Sequence, residues 1–382
     1  MARKSLYMMK ALVLYLDLIT YQSGSIQSAP LSSYLVSSFT SPDSDFNLPF
    51  NHIAINNITG DIYIGARERL YQLDSDLNLK QTVDTGKCSR GNEDYINDNK
   101  LLVVVITPQH YKLISCGGCG SDCQQMNLAN ISVDLGYLHN TYYVVTRDLP
   151  TVGVVALGAD YEWNGMGNLN ESFYLFTGIT RRKYAYVDLI SKRSLSDLQS
   201  HQYIPGHYVM PIHCENNFKN LISHNDYIYY FISRCEETYL GRICRDSPDR
   251  DFESYTEIEL QCGHDGSQNI IQSAYIGPAG SQLAESMNIN TTDDLLYAVF
   301  SSTPSSSLCV YKMIDVQQSF EDAILGCILG RSTGTENSFF SESICQKVVH
   351  GPLDYHLLYK PLLLLHYSIH THISIKSSSM IK

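Results

Sequence analysis

The chain has 382 residues, of which only 17% are charged, and its net charge is −12. That charge argues against binding to nucleic acid, which needs a basic surface to displace counterions, and against loose binding to acidic membranes. The length suffices for two average domains or one large all-β domain. The 28 tyrosines favour β-strands, because aromatic side chains pack well on a pleated sheet.

The N-terminus has the pattern of a secretory signal peptide. Its first ten residues include three basic ones, and an apolar stretch follows at 11–20. Asp17 interrupts that stretch at a cost in insertion free energy, so a buried helix is the alternative. We predict a signal peptide over residues 1–29 and a flexible, Ser-rich lead-in over 30–49. Since no later segment reaches the ~20 apolar residues that span a bilayer, we expect no membrane anchor in this chain.

Short strands separated by turns are predicted from residue 50 onwards. Segments 52–55, 61–66 and 70–73 form a meander, and 101–106 with 111–116 repeats the pattern. Further strands are predicted at 209–213, 227–233, 269–276, 295–301 and 308–314. Strand groups that recur every several tens of residues favour a β-propeller, although a sandwich would also fit the strand count.

One helix is predicted near the end of this run. Over 316–327, the residues Phe320, Ile324 and Cys327 follow the i, i+4, i+7 spacing of one helical face.

The chain contains 11 cysteines, many of them in turn-like surroundings, which is typical of a disulfide-bonded secreted protein. Cys116 and Cys119 have the spacing of a zinc or redox pair, but no second ligand pair is evident, so disulfides are the better interpretation. Cys214 and Cys235 are equidistant from a predicted hairpin turn, which would place them opposite each other. They form either a disulfide or two buried thiols. Four N-glycosylation sequons agree with secretion, namely Asn57, Asn130, Asn170 and Asn290.

No catalytic motif is recognisable in the sequence, and we expect no catalytic residue, metal site or cofactor. The carboxylates of Asp293 and Asp294 are adjacent on a predicted strand and so point to opposite faces, which favours a solvated turn over acid–base chemistry. Three histidines of the C-terminal segment have ligand-like spacing but no supporting context. The basic cluster 181–183 is either part of a ligand face or a solvated hairpin end. These three histidines are His366, His370 and His372. The ligand-binding residues stay unassigned.

Several phrases resemble, in the correct chain order, the plexin type of Sema domain. They include 60–66, 113–117 followed by Cys123, 242–246 and, most specifically, 293–301. The resemblance covers residues 50–346 and implies a seven-bladed β-propeller, of which this chain would carry roughly the first five to six blades. Residues 347–382 match nothing and are expected to form an unrelated or disordered tail. A truncated gene model or a soluble fragment would explain such a chain.

The resemblance also implies a set of disulfides. In the family pattern, Cys116 bonds to Cys123 and Cys262 bonds to Cys327. Cys88 and Cys119 depart from that pattern, and a bond between them would account for both departures. Cys244 would pair with a later cysteine, for which Cys345 is a candidate, while Cys309 is expected to be a buried thiol.

The function that the resemblance implies is extracellular protein recognition. The chain would be the semaphorin-binding part of a plexin-like receptor, monomeric and without the signalling region. The complete family member would be a single-pass plasma-membrane receptor. Two alternatives are a secreted semaphorin-like ligand or decoy, which would dimerise, and a propeller glycosidase.

Overall fold

The computed structural model describes residues 37–42, 49–90, 93–117, 123–138, 144–145, 149–161, 169–180, 188–198, 200–205, 215–245, 254–263, 270–302 and 305–328. The predicted signal peptide and the predicted tail lie outside the described residues. The chain divides into two compact units, residues 1–155 with 196–199 and residues 156–195 with 200–382.

The first unit contains two four-stranded sheets, and the strands of each sheet lie side by side in chain order. The first sheet consists of β1 (Phe50–Ile55), β2 (Ile62–Ala66), β3 (Arg69–Leu73) and β4 (Leu79–Asp84). A two-stranded ribbon follows, formed by β5 (Lys87–Arg90) and β6 (Glu93–Ile96). The second sheet consists of β7 (Leu101–Ile106), β8 (Tyr111–Cys116), β9 (Cys123–Asn127) and β10 (Asp134–Leu138).

Side chains from both of these sheets form one apolar core. Tyr63 and Leu70 of the first sheet cluster with Leu102, Leu113 and Met126 of the second, and all five are at most 2% exposed. Strand residues alternate between the two faces of a sheet, so each strand contributes every second residue to such a layer. This burial is the main favourable free energy that holds the two sheets together.

The second unit contains two four-stranded sheets and a three-stranded one, again with neighbours in chain order. They are formed by β11 (Thr151–Tyr161), β12 (Leu169–Ile179), β13 (Asp188–Ser194) and β14 (Ser200–Pro205); by β15 (Asn217–His224), β16 (Tyr227–Arg234), β17 (Glu237–Cys244) and β18 (Thr256–Glu259); and by β19 (Ile270–Pro278), β20 (Asp294–Ser302) and β21 (Ser305–Lys312). β11 begins in the first unit.

Two helices accompany the last sheet. The short helix α1 (Ser281–Met287) connects β19 to β20, and α2 (Met313–Ile328) follows β21. The helix predicted over 316–327 is present and begins three residues earlier. Its residues Val316 and Phe320 are buried in the core of this unit, which explains the apolar spacing. Among the described residues, neither helix has the length and apolar character to cross a bilayer.

Most predicted strands agree with the structure where the residues are described, but the strand predicted over 308–314 ends at Lys312, because Met313 and Ile314 begin α2. The prediction 209–213 lies outside the described residues. No strand is predicted between 117 and 208, although β9 to β14 occupy much of that region. β10 (Asp134–Leu138) exposes the apolar residues Leu135 and Tyr137 instead of alternating cleanly, so the period of two is weak there.

Candidate functional site

A charged network lies buried in the sheet β15–β18. The guanidinium of Arg234 donates to both carboxylate oxygens of Glu257, at 3.0 and 2.9 Å, and its Nε donates to Asn216. Tyr255 donates to the same carboxylate at 2.6 Å. The side chains of Arg234 and Glu257 are 6% and 1% exposed. Burial opposes the charge, but Glu257 and its hydrogen bonds outweigh that cost and raise the pKa of Arg234. Because these charges are paired and shielded from solvent, a substrate cannot reach them, and the network has a structural role within the sheet.

A second buried arginine connects this sheet to helix α2. The guanidinium of Arg242 lies between two aromatic rings, 4.2 Å from the centroid of Tyr227 and 4.2 Å from that of Phe320. Phe320 also contacts the ring of Tyr229, with centroids 6.2 Å apart. Arg242 belongs to the phrase 242–246 that resembles the family pattern. Its position indicates a packing role, in which a cation–π sandwich holds α2 against the sheet.

In the first unit, Asn99 connects the two sheets. Its Nδ2 donates to the carbonyls of Ala66 (2.8 Å) and Arg69 (3.1 Å) and to Thr85 Oγ1 (2.9 Å), and its Oδ1 accepts from Ser115. The residue is fully buried and has a φ of 45°. Asparagine tolerates this left-handed conformation better than most residues, and its side chain uses the buried backbone carbonyls.

A buried Asp61–Gln72 pair orders the β9–β10 turn in the same unit. Gln72 Nε2 donates to Asp61 at 3.1 Å and to the carbonyl of Ala129 at 3.2 Å, while Gln72 Oε1 accepts from the backbone of Ile131. Lys80 neutralises Asp61, with an Nζ–Oδ2 distance of 2.9 Å. These contacts fix the turn that carries the sequon of Asn130.

The adjacent carboxylates Asp293 and Asp294 serve different partners. Asp293 Oδ2 accepts from the backbone of Asn290 at 2.9 Å, whereas Asp294 Oδ2 lies 3.6 Å from Nε2 of His224. Burial lowers the pKa of His224, and Asp294 opposes that shift. The two carboxylates contact different partners, as alternation along a strand predicts.

Two disulfides have both of their cysteines among the described residues. Cys116 and Cys123 are directly opposite each other on β8 and β9 and are bonded, as the resemblance implies. The pairing of Cys262 with Cys327 is wrong, and so is a thiol at Cys309, because the structure joins Cys262 to Cys309. The reason is geometric. Cys309 and Tyr311 are two residues apart on one face of β21, and Tyr311 donates to the carbonyl of Gln261 at 2.6 Å, which brings residues 261–262 alongside β21.

The remaining cysteines are only partly described. Cys235 is disulfide-bonded and lies in the turn between β16 and β17, while Cys214 lies outside the described residues. Cys88 is on β5, and no side-chain detail is described there; Cys119 and Cys345 lie outside the described residues. Cys244 ends β17 and is half-buried. The Cys88–Cys119 bond and a bond from Cys244 stay predictions.

The sequons differ in how far the structure describes them. Asn57 is exposed in the β1–β2 turn, Asn130 is half-buried in the β9–β10 turn, and Asn290 is exposed between α1 and β20. Asn170 is on β12, where the side chain is not described. The basic cluster 181–183 and the three C-terminal histidines lie outside the described residues. Within the described part of the chain, no group of three or more His, Cys, Asp or Glu is arranged to hold a metal.

Comparison with known proteins consistently gives plexins as relatives of this chain. The chain is 26% identical over 329 residues to mouse Plexin-B2 and 25% identical over 347 residues to human Plexin-A4, covering 76% and 74% of this chain. It spans only 17% of the length of each of these relatives. No family model matches the chain.

The fold agrees with this relationship. The extracellular region of Plexin A4 superposes with a TM-score of 0.59 and 24% identity, over 74% of this chain and 36% of the solved one. The five described sheets correspond to propeller blades, since each joins neighbouring antiparallel strands in chain order. The chain is therefore related to plexins, and its fold is all-β, with five described blades of the Sema type of β-propeller.

Proposed function

We propose that the chain is an extracellular protein-recognition module of the plexin type and that it binds a semaphorin-type partner. The observation that carries this proposal is the joint match to Plexin-B2, to Plexin-A4 and to the solved Plexin A4 extracellular region. The disulfides Cys116–Cys123 and Cys262–Cys309 support an oxidising compartment. We further propose residues 1–29 as a signal peptide and residues 50–346 as part of a seven-bladed propeller that acts as a monomer.

Binding rather than catalysis is also supported by the described charges. The buried pair Arg234–Glu257 and the buried carboxylate of Asp61 are each neutralised by a partner. An acid or base that acts on a substrate must instead reach it within hydrogen-bonding distance.

The test is to express the chain with its own N-terminus in secreting cells and to titrate the purified protein against immobilised semaphorin ectodomains. Saturable binding that depends on the intact disulfides supports the proposal, and no binding by folded, oxidised protein refutes it. Light scattering distinguishes the alternatives, since a receptor module is expected to be monomeric and a semaphorin-like ligand dimeric. Hydrolysis within a glycan panel would favour the glycosidase.

A further inference from the structure

The four sequons occupy one type of position in their sheets. Asn57 is in the β1–β2 turn, Asn130 in the β9–β10 turn, and Asn290 in the β19–β20 connection. Asn170 is the second residue of β12, which follows β11 after too few residues for a parallel crossover. Neighbouring strands are therefore antiparallel, and each sequon lies at the end of its own sheet where the first strand ends. We call this the first-strand end.

The first-strand end of the first unit carries large exposed apolar side chains. Ile58 is 73% exposed and directly follows Asn57, and Val133 is 46% exposed and donates its backbone N–H to the carbonyl of Asn130 at 3.1 Å. Tyr111, at the start of β8, and Leu79, at the start of β4, are 44% and 42% exposed. Exposed apolar surface of this kind is often covered by another molecule or group.

Hydrogen bonds bring these positions together in two pairs within the unit. Asn56 Nδ2 lies 3.4 Å from the hydroxyl of Tyr111, so the turn that carries Asn57 is next to the start of β8. Ser132 donates to Gln81 at 3.1 Å, so the turn that carries Asn130 is next to β4.

The hydrogen bonds around Asn57 and Asn130 leave both acceptor asparagines available for N-glycosylation. Asn56 Oδ1 accepts from the backbone of Ile58 at 3.0 Å, which closes the turn and leaves Asn57 exposed. Asn130 Oδ1 accepts from the backbone of Ser132 at 3.0 Å, while its Nδ2 donates to no other described residue. Glycosylation joins Nδ2 to the anomeric carbon of a lipid-diphosphate-linked oligosaccharide, breaks the bond from that carbon to the diphosphate, and releases one amide proton.

We propose that N-linked glycans on Asn57 and Asn130 cover the first-strand end of the first unit and shield its apolar side chains. Glycans are favoured over a protein partner because the sequon Asn57-Ile58-Thr59 places an exposed acceptor asparagine directly beside the most exposed of these apolar side chains. The partner would then bind elsewhere on the chain. This inference rests on the proposed secretion of the protein.

The experiment uses the full chain secreted from glycosylating cells. Peptide-N-glycosidase converts each glycosylated asparagine to aspartate, so peptide mapping reports the occupancy of both sites. Asn57→Gln with Asn130→Gln is expected to raise the fluorescence of a hydrophobic-surface dye by about twofold or more and to promote self-association. Asn290→Gln is the matched control, because its described loop, residues 279–293, contains none of the large exposed apolar side chains.

If the double variant is not secreted, enzymatic removal of glycans from the folded wild-type protein gives the same comparison. Secreted, oxidised protein with both asparagines unmodified overturns this inference and leaves the proposed function intact. Unchanged dye binding after glycan removal also overturns it. Loss of semaphorin binding in Ile58→Ser, which preserves the sequon, would identify the surface as a protein interface instead. Failure of secretion itself contradicts both proposals.

Discussion

Arg234 and Glu257 form a bidentate ion pair that is closed to water and bridges two strands that are not adjacent, β16 and β18. Asn216 and Tyr255 complete the hydrogen bonds of the two charges. A buried pair of this kind depends on both partners, because either charge alone would remain desolvated and unpaired.

Glu257→Gln is therefore expected to lower the free energy of unfolding by about 3–5 kcal/mol, measured by urea denaturation. The double variant Arg234→Met with Glu257→Leu should lose less, since no unpaired charge remains. The control is Asp84→Asn in the exposed pair with Arg69, where the side chain of Asp84 is 64% exposed and the expected loss is about 1 kcal/mol or less. Equal losses at both sites would contradict this assignment.

Asn99→Ala removes the link between the two sheets of the first unit. Several buried groups, including the carbonyls of Ala66 and Arg69, would lose their hydrogen-bond donor. We expect a loss of roughly 2–4 kcal/mol in unfolding free energy, because each buried unsatisfied group costs about 1–3 kcal/mol. Asn225→Ala is the control: its φ of 50° imposes a similar backbone cost, but the residue is exposed. A comparable effect of both substitutions would mean that conformation, not hydrogen bonding, dominates at Asn99.

Peptide mapping without reduction should recover Cys262 joined to Cys309. The bond closes a loop with a sequence separation of 47. In the chain-entropy treatment, removing it by Cys309→Ser costs about 4 kcal/mol of stability. Cys327→Ser is the control and should leave the Cys262–Cys309 peptide intact. Recovery of Cys262 joined to Cys327 would restore the pairing implied by family resemblance and contradict the structure.

His52 on β1 gives the fold a pH dependence. Burial lowers its pKa from 6.5 to about 4, and its Nδ1 has no hydrogen-bond partner among the described residues. Between these two values the unfolded chain binds a proton that the folded chain does not, so stability falls as the pH drops from 6.5 towards 4 and the effect then levels off. His52→Leu should reduce this slope in pH-dependent unfolding. An unchanged slope would show that other groups, such as His224, carry the dependence.

The sequence predicts those parts of the fold that depend on the residue pattern within one strand or one hairpin. The segment 295–301 lies within β20, and the Cys116–Cys123 bond agrees with the pairing that the family resemblance implies. Asp293 and Asp294 face different partners, as alternation predicts. These features are local, since they depend on neighbours along the chain or on a single hairpin.

Features that depend on contacts between separate elements were not accessible in this way. Arg234 and Glu257 are 23 residues apart, and no spacing rule pairs them. Cys309 meets Cys262 because the segment after β18 runs beside β21, which the order of cysteines along the chain does not reveal. The hydrogen bonds of Asn99 are only weakly indicated by the sequence, which shows an asparagine in a short connection before a strand.

The most direct test of the proposed recognition function is a binding titration of the secreted, oxidised chain against semaphorin ectodomains, with the extracellular region of mouse Plexin-B2 as competitor. We predict saturable binding that the competitor displaces and that Cys262→Ser with Cys309→Ser weakens. A folded, monodisperse protein that binds none of the semaphorins at concentrations where the competitor does would contradict the proposed function.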